Sequence, residues 1–525
     1  MTQKRKMSYV TLQDDHSIDE KFEKAVQSVK KEFGKSHPFF IGGEEVYSSA
    51  DEFQVKSPVD TRIIIGSFQK ATREHVRKAI EIAQGAFGAW ADTDYTERVR
   101  IFRKVASLLE ERIFSLAAIL AYEAGKRSNE GIGEVSETIA FIHYYCDLLE
   151  SNHGYSTPMG QGAPSERCVS VMRPYGVWAV ISPFNAPIVL GNNMAGGALM
   201  TGNTVILKPT SEGPLASLAL YKIYREAGVP ANVVHYITAS GDTIGDEITA
   251  NPNIAGIAFT GSKAVGLALY RNFVQKQAWP KPFVSETGSK NPCIVAEDAD
   301  LDKAALGVAR SAFGYTGQKC SATSRVYVHE SVEGQFVQKL VEKTREMKVG
   351  NPADKSVVVG PLINRRALDN FVKYVEMAKA AGGKVETGGQ TITAGDFQFG
   401  YFAEPTVITG IPHAHQLFID ELFVPLVVVS KYSDLAEALT RANKTEYGLT
   451  AGIFTRDTKK IDAFFKDIQF GVCYANRSGG ATTGAWPGAQ PFVGWKGSGC
   501  TGKGAGGPYY LLTFLREQAQ TLVEG

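Results

Sequence analysis

The sequence has few cysteines, no excess of charge of either sign and no long apolar run. Its six cysteines are scattered without a CxxC pair, so neither a disulfide framework nor a metal site is expected. Lys and Arg number 56 against 55 Asp and Glu, a balance that argues against nucleic-acid or anionic-membrane partners. No apolar stretch reaches the roughly 18 residues of a membrane span, and the start has no apolar signal region. We therefore expect a cytoplasmic globular protein.

The length and the apolar periodicity indicate at least two α/β domains. A chain of 525 residues exceeds one ordinary hydrophobic core. Short apolar runs alternate with helical stretches, as in parallel sheets covered on both faces and in doubly wound nucleotide-binding domains. The first series of predicted strands is 177–182, 204–208, 233–237 and 256–260, and the second is 293–296, 325–329, 425–431 and 450–454. A strand-like run is also predicted at 60–66.

Cys320 is the first candidate for chemistry because it lies in a polar, glycine-rich loop, SAFGYTGQKCSATSR (311–325). A helix is predicted to end near Gly314 or Gly317, and Gly317 permits a tight turn. The thiolate is the nucleophile in cysteine chemistry, so a reactive cysteine needs an accessible polar surrounding. By itself the loop is about equally consistent with an ordinary buried cysteine.

Two polar residues at predicted strand ends are candidate partners of this nucleophile. Glu286 lies between an apolar run and a glycine turn, and partial burial there would raise its pKa toward that of a general base. Asn185 follows the first strong parallel strand, where catalytic groups gather in doubly wound sheets, and its amide can stabilise an oxyanion. Taken singly, each is more often a cap, surface or turn residue.

A further set of residues is suited to a nucleotide. Lys208 ends a strand, where its ammonium can reach ribose hydroxyls or a 2′-phosphate. Gly261 and Ser262 follow the 256–260 strand and open a helix, whose N–H groups form an anion site. Glu421 is a lone carboxylate suited to the nicotinamide ribose or to capping a strand.

Together these motifs resemble the aldehyde dehydrogenase superfamily from about residue 40 to 520. Their order agrees with the family, as does the 34-residue spacing from Glu286 to Cys320. The matching segments are PFNAP (183–187), TGNTVILKP (201–209), FTGS (259–262), ETGSKNP (286–292), GQKC (317–320), ELFVP (421–425) and QPFVGWKGSG (490–499).

The resemblance implies the aldehyde dehydrogenase fold, an α/β architecture of two doubly wound domains and a small oligomerisation arm. The Rossmann-like cofactor domain is expected at 1–151 and 173–286, and the catalytic domain at 287–501. The arm is expected at 152–172 and 502–525. The resemblance also implies a homodimer or a homotetramer.

The implied activity is the NAD(P)-dependent oxidation of an aldehyde to a carboxylic acid. Cys320 forms a thiohemiacetal and then a thioester, the oxyanion is held by Asn185 and the Cys320 N–H, and Glu286 activates the hydrolytic water. NAD is the expected cofactor, with NADP tolerated because Ser211 stands where strict NAD enzymes often carry Glu. The expected cofactor-binding residues are Ile181, Ser182, Pro183, Phe184, Lys208, Ser211, Gly241, Gly245, Phe259, Thr260, Gly261, Ser262, Glu421 and Phe423.

Within the superfamily, the chain looks most like the 1-pyrroline-5-carboxylate (glutamate γ-semialdehyde) dehydrogenases, whose cysteine loop is close to 311–325. This resemblance implies a carboxylated semialdehyde substrate. Its α-carboxylate would be held by Ser321 and by the Gly484-Ala485 pair, with Phe492 at the substrate site.

Four residues depart from the family pattern. Ala186 replaces a Phe and widens the expected tunnel, whereas Ser289, Val424 and Val493 replace glycines, and valine does not readily adopt a positive φ. Two alternatives therefore stay open: a dehydrogenase for a bulkier or aromatic aldehyde, and a non-catalytic protein that has kept the fold.

Overall fold

The computed structural model describes residues 16–47, 51–479 and 486–523. In these ranges the helices are His16–Lys30 (α1), Arg73–Asp92 (α2), Tyr95–Glu111 (α3), Ile113–Glu123 (α4), Ser128–Ser151 (α5), Val189–Met200 (α6), Pro214–Ala227 (α7), Gly241–Ala250 (α8), Lys263–Lys276 (α9), Leu301–Phe313 (α10), Glu333–Arg345 (α11), Arg365–Ala380 (α12), Gln416–Ile419 (α13), Leu435–Asn443 (α14) and Thr458–Asp467 (α15).

The strands of the same ranges are Ser36–His37 (β1), Phe39–Ile41 (β2), Glu44–Val46 (β3), Glu52–Lys56 (β4), Ile64–Gln69 (β5), Ser156–Pro158 (β6), Glu166–Pro174 (β7), Val177–Ser182 (β8), Thr204–Pro209 (β9), Val234–Tyr236 (β10), Ile254–Thr260 (β11), Phe283–Glu286 (β12), Asn291–Val295 (β13), Thr323–His329 (β14), Lys384–Thr387 (β15), Thr391–Ile392 (β16), Phe402–Ala403 (β17), Thr406–Thr409 (β18), Leu426–Tyr432 (β19), Tyr447–Gly448 (β20), Thr450–Phe454 (β21), Val472–Ala475 (β22), Trp495–Lys496 (β23) and Leu515–Val523 (β24).

The first large sheet has seven strands in the order β12-β11-β8-β9-β10-β2-β3. Strands β8 to β12 pair in parallel, whereas β2 and β3 join antiparallel at one edge. Strand β8 is buried nearly throughout. Its sequence is therefore a continuous apolar run and not an alternation of apolar and polar residues. The sheet ends at β12, whose last residue is Glu286.

The second large sheet also has seven strands, in the order β15-β18-β19-β14-β13-β21-β22. All neighbours pair in parallel except β15 with β18. Buried residues on its two faces form two separate hydrophobic clusters, as a doubly wound sheet requires. The cysteine loop leads from α10 into β14, so helix α10 holds one end of the loop and the sheet holds the other.

A third, small sheet has the antiparallel order β24-β7-β6. β24 pairs with β7 over its whole length, from Leu515 opposite Pro174 to Val523 opposite Glu166. By contrast, Tyr510 and Phe514 are buried in the core of the first large sheet. These pairings join parts of the two segments expected to form the oligomerisation arm, 152–172 and 502–525, in one small sheet. The domain boundaries themselves stay a prediction.

The local elements follow ordinary capping and turn chemistry. Thr72 caps α2 by accepting the His75 N–H, as its sequence position predicts. The strand-like run predicted at 60–66 is wrong in its first half, because β5 begins only at Ile64. Before it, Asp60 accepts the N–H groups of Arg62 and Ile63 in a turn. In the described part of the chain, no helix is long and apolar enough to cross a membrane.

Candidate active site

The loop that carries Cys320 is held by buried polar side chains. After α10, Tyr315 and Thr316 adopt left-handed φ values of 50° and 58°, which are costly for residues with a Cβ. The Tyr315 hydroxyl donates to the Ala124 carbonyl at 2.7 Å and the Thr316 hydroxyl donates to the Gly360 carbonyl at 3.0 Å. These bonds compensate for the strained turn that brings the thiol to its place.

Gly317 is required in this loop, as the sequence indicates. Its φ is +69°, and a Cβ built there would lie 2.4 Å from the Val424 carbonyl oxygen. The cysteine loop and the Glu421 segment therefore approach each other backbone to backbone. Any side chain at Gly317 would push the two segments apart.

Cys320 and Glu286 meet in the structure. The Cys320 Sγ donates a hydrogen bond to Glu286 Oε1 at 3.3 Å, across 34 residues of sequence. Burial raises the pKa of Glu286 to about 7. Burial and the nearby Glu286 charge raise the pKa of the Cys320 thiol well above its usual value. Near neutral pH the resting pair is therefore a thiol beside a carboxyl group that readily gains or loses a proton.

Asn185 lies between β8 and α6, at the C-terminal edge of the first large sheet. Its side chain is buried. The neighbouring Phe184 ring packs edge-on against Phe423, with 6.0 Å between ring centroids. The Phe423 segment also touches the cysteine loop at Gly317, so this segment links the loop of Asn185 to the loop of Cys320.

Helix α5 holds both of these loops. Fully buried Glu134 accepts the N–H groups of Ile188 at 2.9 Å and Val189 at 3.3 Å, at the start of α6. One turn earlier, Glu130 accepts a hydrogen bond from Lys319 Nζ at 2.9 Å. The loop of Asn185 and the loop of Cys320 are thus tied to one rigid element.

The predicted adenosine-binding residues line the carboxyl edge of the first sheet. Lys208 is buried at the end of β9, where its Nζ donates to the Pro209 carbonyl at 3.0 Å, and burial lowers its pKa to about 8. Ser211 is exposed beyond it. Gly241 and Gly245 lie in the first turns of α8, and a Cβ at either glycine would meet open space. Both positions are therefore open enough for a ligand to approach the backbone of this helix start.

Other predicted cofactor residues lie at the ends of β8 and β11. Ile181 and Ser182 close β8, and Pro183 and Phe184 follow. Phe259 and Thr260 close β11, and Ser262 caps α9 by accepting the Val265 N–H at 3.4 Å. The Gly261 N–H donates to the Glu286 carbonyl at 3.2 Å, which ties the α9 start to the strand of the predicted base.

Glu421 packs against the segment that follows Glu286. Its Oε1 accepts the Ser289 N–H at 2.8 Å, and burial raises its pKa to about 7. A Cβ on Gly288 would lie 2.2 Å from Glu421 Oε2, so the close approach needs that glycine. Glu421 and Phe423 line a small cavity together with Lys319. The carboxylate predicted for the nicotinamide ribose therefore lies beside the nucleophile loop.

A cavity opens on Glu286. Phe492, which the family resemblance assigns to the substrate site, lines it with Phe259, Thr260 and Val493. Ser321 is buried next to Cys320. Gly484 and Ala485 lie outside the described residues.

The departures from the family pattern fit the backbone without strain. Neither Val424 nor Val493 is among the non-glycine residues with positive φ in the described part of the chain, and Val424 packs in a hydrophobic core. The expectation that these valines would strain the backbone is wrong. Ser289 uses its N–H for Glu421 and its hydroxyl for Asn291, so this replacement adds a hydrogen bond.

The sequence analysis did not single out two residues that contact the cysteine loop. Asn291 and Thr450 bind the backbone of the cysteine loop. Asn291 stands inside the matched ETGSKNP segment, which is a signal that could have singled it out. Thr450 lies 130 residues beyond Cys320 in the sequence, and only the pairing of β13 with β21 brings it there.

Comparison with known proteins decides the family. The model of the aldehyde dehydrogenase family matches residues 46–519. The chain belongs to this family. It is 37% identical over 507 residues to a 1-pyrroline-5-carboxylate dehydrogenase of Bacillus cytotoxicus, covering 96% of each chain.

Solved structures of family members agree with this membership. The crystal structure of a 1-pyrroline-5-carboxylate dehydrogenase from Thermus with bound NAD superimposes with a TM-score of 0.93 at 33% identity, covering all of both chains. Proline utilization A from Bdellovibrio bacteriovorus gives a TM-score of 0.91 at 33% identity. There the match covers 96% of this chain and 52% of that longer one. The aldehyde dehydrogenase fold predicted from the sequence is confirmed.

Proposed function

We propose that this protein oxidises an aldehyde to a free carboxylic acid with NAD as the cofactor. Cys320 is the nucleophile, Glu286 is the general base, and Asn185 stabilises the oxyanion. The observation that carries the proposal is the hydrogen bond of 3.3 Å between Cys320 Sγ and Glu286 Oε1. A nucleophile and a base within contact distance are the minimal machinery for forming and hydrolysing a thioester.

The residues at the sheet edge fit a dinucleotide. The exposed start of α8 and the helix start at Ser262 offer N–H groups to phosphates. Lys208 Nζ donates to the neighbouring Pro209 carbonyl, and the two further N–H groups of an ammonium are suited to ribose hydroxyls. Glu421 is placed to bind the nicotinamide ribose. NAD, when bound, supplies the hydride acceptor.

Acylation depends on what the chain does at the Cys320 sulfur and the carbonyl oxygen. Glu286 accepts the hydrogen bond of the thiol and is placed to take its proton, which creates the thiolate nucleophile. Addition to the aldehyde carbon gives a tetrahedral oxyanion, held by the Asn185 amide and the Cys320 N–H. Oxidation of this adduct leaves a thioester on Cys320.

Deacylation depends on Glu286. After Glu286 has released the thiol proton to solvent, its carboxylate takes a proton from a water molecule, which attacks the thioester carbon and releases the acid and the Cys320 thiolate. The Glu286 pKa of about 7 suits this task, because the group is substantially ionised near neutral pH and still basic enough to act. The cavity in front of Glu286 gives water a way in.

Glutamate γ-semialdehyde, the open form of 1-pyrroline-5-carboxylate, is the substrate that we propose. The names of the similar proteins support this substrate, as does the position of Ser321 beside the nucleophile. A bulkier or aromatic aldehyde is the second candidate, because Ala186 leaves space where a Phe is usual. Comparing the two aldehyde classes decides between them.

The test is NADH formation at 340 nm with glutamate semialdehyde and with benzaldehyde, for the wild type and for Ser321→Ala. We expect turnover of the semialdehyde and a KM raised roughly 10-fold in Ser321→Ala, the cost of one buried polar contact, with benzaldehyde turnover unaffected. An unchanged semialdehyde KM would contradict the carboxylate role of Ser321. Cys320-dependent turnover of benzaldehyde alone would support the second candidate.

The same assay with NADP tests cofactor preference. We propose NAD with tolerance of NADP, because exposed Ser211 adds no charge where a 2′-phosphate would lie. The nearby Glu212 is bound to the Thr210 hydroxyl at 2.7 Å and to the Asn364 amide at 3.3 Å. Ser211→Glu is expected to lower kcat/KM for NADP and leave that for NAD unchanged. Equal losses with both cofactors would contradict this role.

We further propose that the chain assembles with copies of itself. The third sheet exposes β24 from Arg516 to Val523 along its free edge. Helix α9 exposes large apolar side chains at Val265, Tyr270 and Val274. A second copy of the chain would cover both surfaces.

A further inference from the structure

Asn291 is a buried amide whose hydrogen bonds converge on the nucleophile loop. It is 1% exposed at the start of β13. Its Nδ2 group donates to the Cys320 carbonyl at 2.8 Å, to the Ala322 carbonyl at 2.9 Å and to the Ser289 hydroxyl at 3.0 Å. Its Oδ1 accepts the Thr450 N–H at 2.9 Å. Both ends of the amide are therefore used.

Thr450 completes this arrangement from the neighbouring strand. It is fully buried at the start of β21, which pairs in parallel with β13. Its hydroxyl donates to the Ser321 carbonyl at 3.3 Å. Asn291 and Thr450 together thus bind three consecutive carbonyls, those of Cys320, Ser321 and Ala322.

We propose that Asn291 and Thr450 are positioning residues that hold the Cys320 thiol in its reactive geometry. Fixing consecutive carbonyls fixes the peptide planes between them, and these planes set the direction of the Cys320 Cα–Cβ bond. A nucleophile displaced by about 1 Å can lose 100-fold in rate. This inference rests on the proposed function, since it concerns the same nucleophile.

The arrangement also connects the nucleophile to the carboxylate predicted to bind the cofactor. Ser289 accepts a hydrogen bond from Asn291 through its hydroxyl and donates its N–H to Glu421. A continuous path of hydrogen bonds therefore runs from Glu421 through Ser289 and Asn291 to the Cys320 carbonyl. Because Ser289 stands where the family pattern has glycine, the hydroxyl link is a feature of this chain.

The test uses the rate at which iodoacetamide alkylates Cys320, followed on the Cys320 peptide by mass spectrometry, with kcat and KM beside it. Thr450→Val removes the hydroxyl at nearly constant volume, and Thr450→Ser keeps it. Asn291→Asp keeps an acceptor for the Thr450 N–H but places an oxygen against the Cys320 and Ala322 carbonyls. Thr344→Val is the matched control, because it removes a buried hydroxyl bond of 2.7 Å to Leu340 in the distant helix α11.

We expect Thr450→Val and Asn291→Asp to alkylate Cys320 about 10- to 100-fold more slowly and to lose kcat in proportion, with little change in KM for NAD. Thr450→Ser, which keeps the hydroxyl, is expected to alkylate Cys320 at close to the wild-type rate. Thr344→Val is expected to lose similar stability in urea and to keep the alkylation rate.

The proposal is overturned if folded Thr450→Val alkylates at the wild-type rate, or if Thr344→Val slows Cys320 equally. If Asn291→Asp does not fold, the Thr450 pair decides by itself. Alkylation needs no aldehyde turnover, so a wild type that oxidises no aldehyde would refute the proposed function and leave this comparison intact.

Discussion

At the residue scale, the chemistry of the site comes from burial. Burial raises the pKa of both Glu286 and Glu421 to about 7, whereas the same residue types on the surface would be ionised at all physiological pH values. The sequence singled out Cys320, Glu286 and Asn185 because they lie in matched segments, and their catalytic roles stay a prediction. The raised pKa of Glu286 was expected only if the carboxyl group was partly buried, and its burial depends on packing by distant segments.

The Glu286 pKa predicts how deacylation depends on pH. Only the ionised carboxylate can take a proton from water, and ionisation grows as the pH rises through about 7. The decay of the acyl-enzyme, measured in a single turnover by rapid quench, is therefore expected to accelerate about tenfold per pH unit below 7 and to level off above it. A decay rate that stays constant between about pH 5.5 and about pH 8 would contradict the assignment of Glu286 as the base.

The same pKa predicts how Glu286 affects stability. The folded-state pKa lies above the unfolded value of 4.5, so the folded protein binds more protons between the two values. The free energy of unfolding therefore falls as the pH rises through this window, and the penalty is complete above about 7. Glu286→Gln is expected to be more stable than the wild type in urea at pH 8, by about 1–3 kcal/mol. An equal difference at pH 5 and pH 8 would be inconsistent with this origin.

At the element scale, helix α5 determines how the two catalytic loops face each other. Fully buried Glu134 is paired with buried Lys126 and caps the start of α6. Buried pairs do not by themselves imply stability, but removing one partner leaves an uncompensated charge. The pairing of Glu134 with Lys126 therefore helps to hold the start of α6 and, with it, the loop of Asn185.

Glu134→Ala is expected to lower the free energy of unfolding by about 3–5 kcal/mol, because it leaves Lys126 unpaired and two helix N–H groups without an acceptor. Urea denaturation measures the change. The control is Glu376→Ala, which breaks the exposed pair with Lys379 and is expected to cost at most about 0.5 kcal/mol. Similar losses in both variants would argue against the special role of the buried pair.

The central parallel strands of both large sheets were predictable at this scale, and there are physical reasons why other elements were not. The parallel strands β8, β9 and β11 appear in the sequence as apolar runs bounded by turns. Helix α4 was missed because nearly all of it is buried, so it shows no amphipathic stripe. Strand β24 was not predicted as a strand, since its exposed residues show no apolar alternation and its partner β7 lies about 350 residues away.

At the scale of the whole molecule, the site forms where the two large sheets meet. Glu286 ends the edge strand of the first sheet, and Cys320 precedes a central strand of the second. No single sheet carries both groups, which is why the sequence could predict the participants but not their 3.3 Å contact. The surfaces left exposed on the third sheet and on α9 are the basis for assembly.

Tyr270→Lys combined with Val274→Lys tests the proposed assembly. Charges on the exposed α9 face would oppose burial against a second copy, so we expect the mass measured by light scattering to fall. The control is Val372→Lys, since Val372 is an exposed residue of α12. This variant should leave the mass of the assembly unchanged. A wild type that is already monomeric would contradict the proposal.

The formation of a thioester on Cys320 and its hydrolysis through Glu286 can be tested in one measurement. This is the mass of the intact Glu286→Gln variant after it is mixed with NAD and glutamate semialdehyde. We expect an acyl group that accumulates slowly on Cys320, because the thiol can still lose its proton to solvent whereas hydrolysis of the thioester has no base, and no adduct once Cys320 is also changed to Ser. Rapid product formation by Glu286→Gln, or an adduct that persists without Cys320, would contradict this expectation.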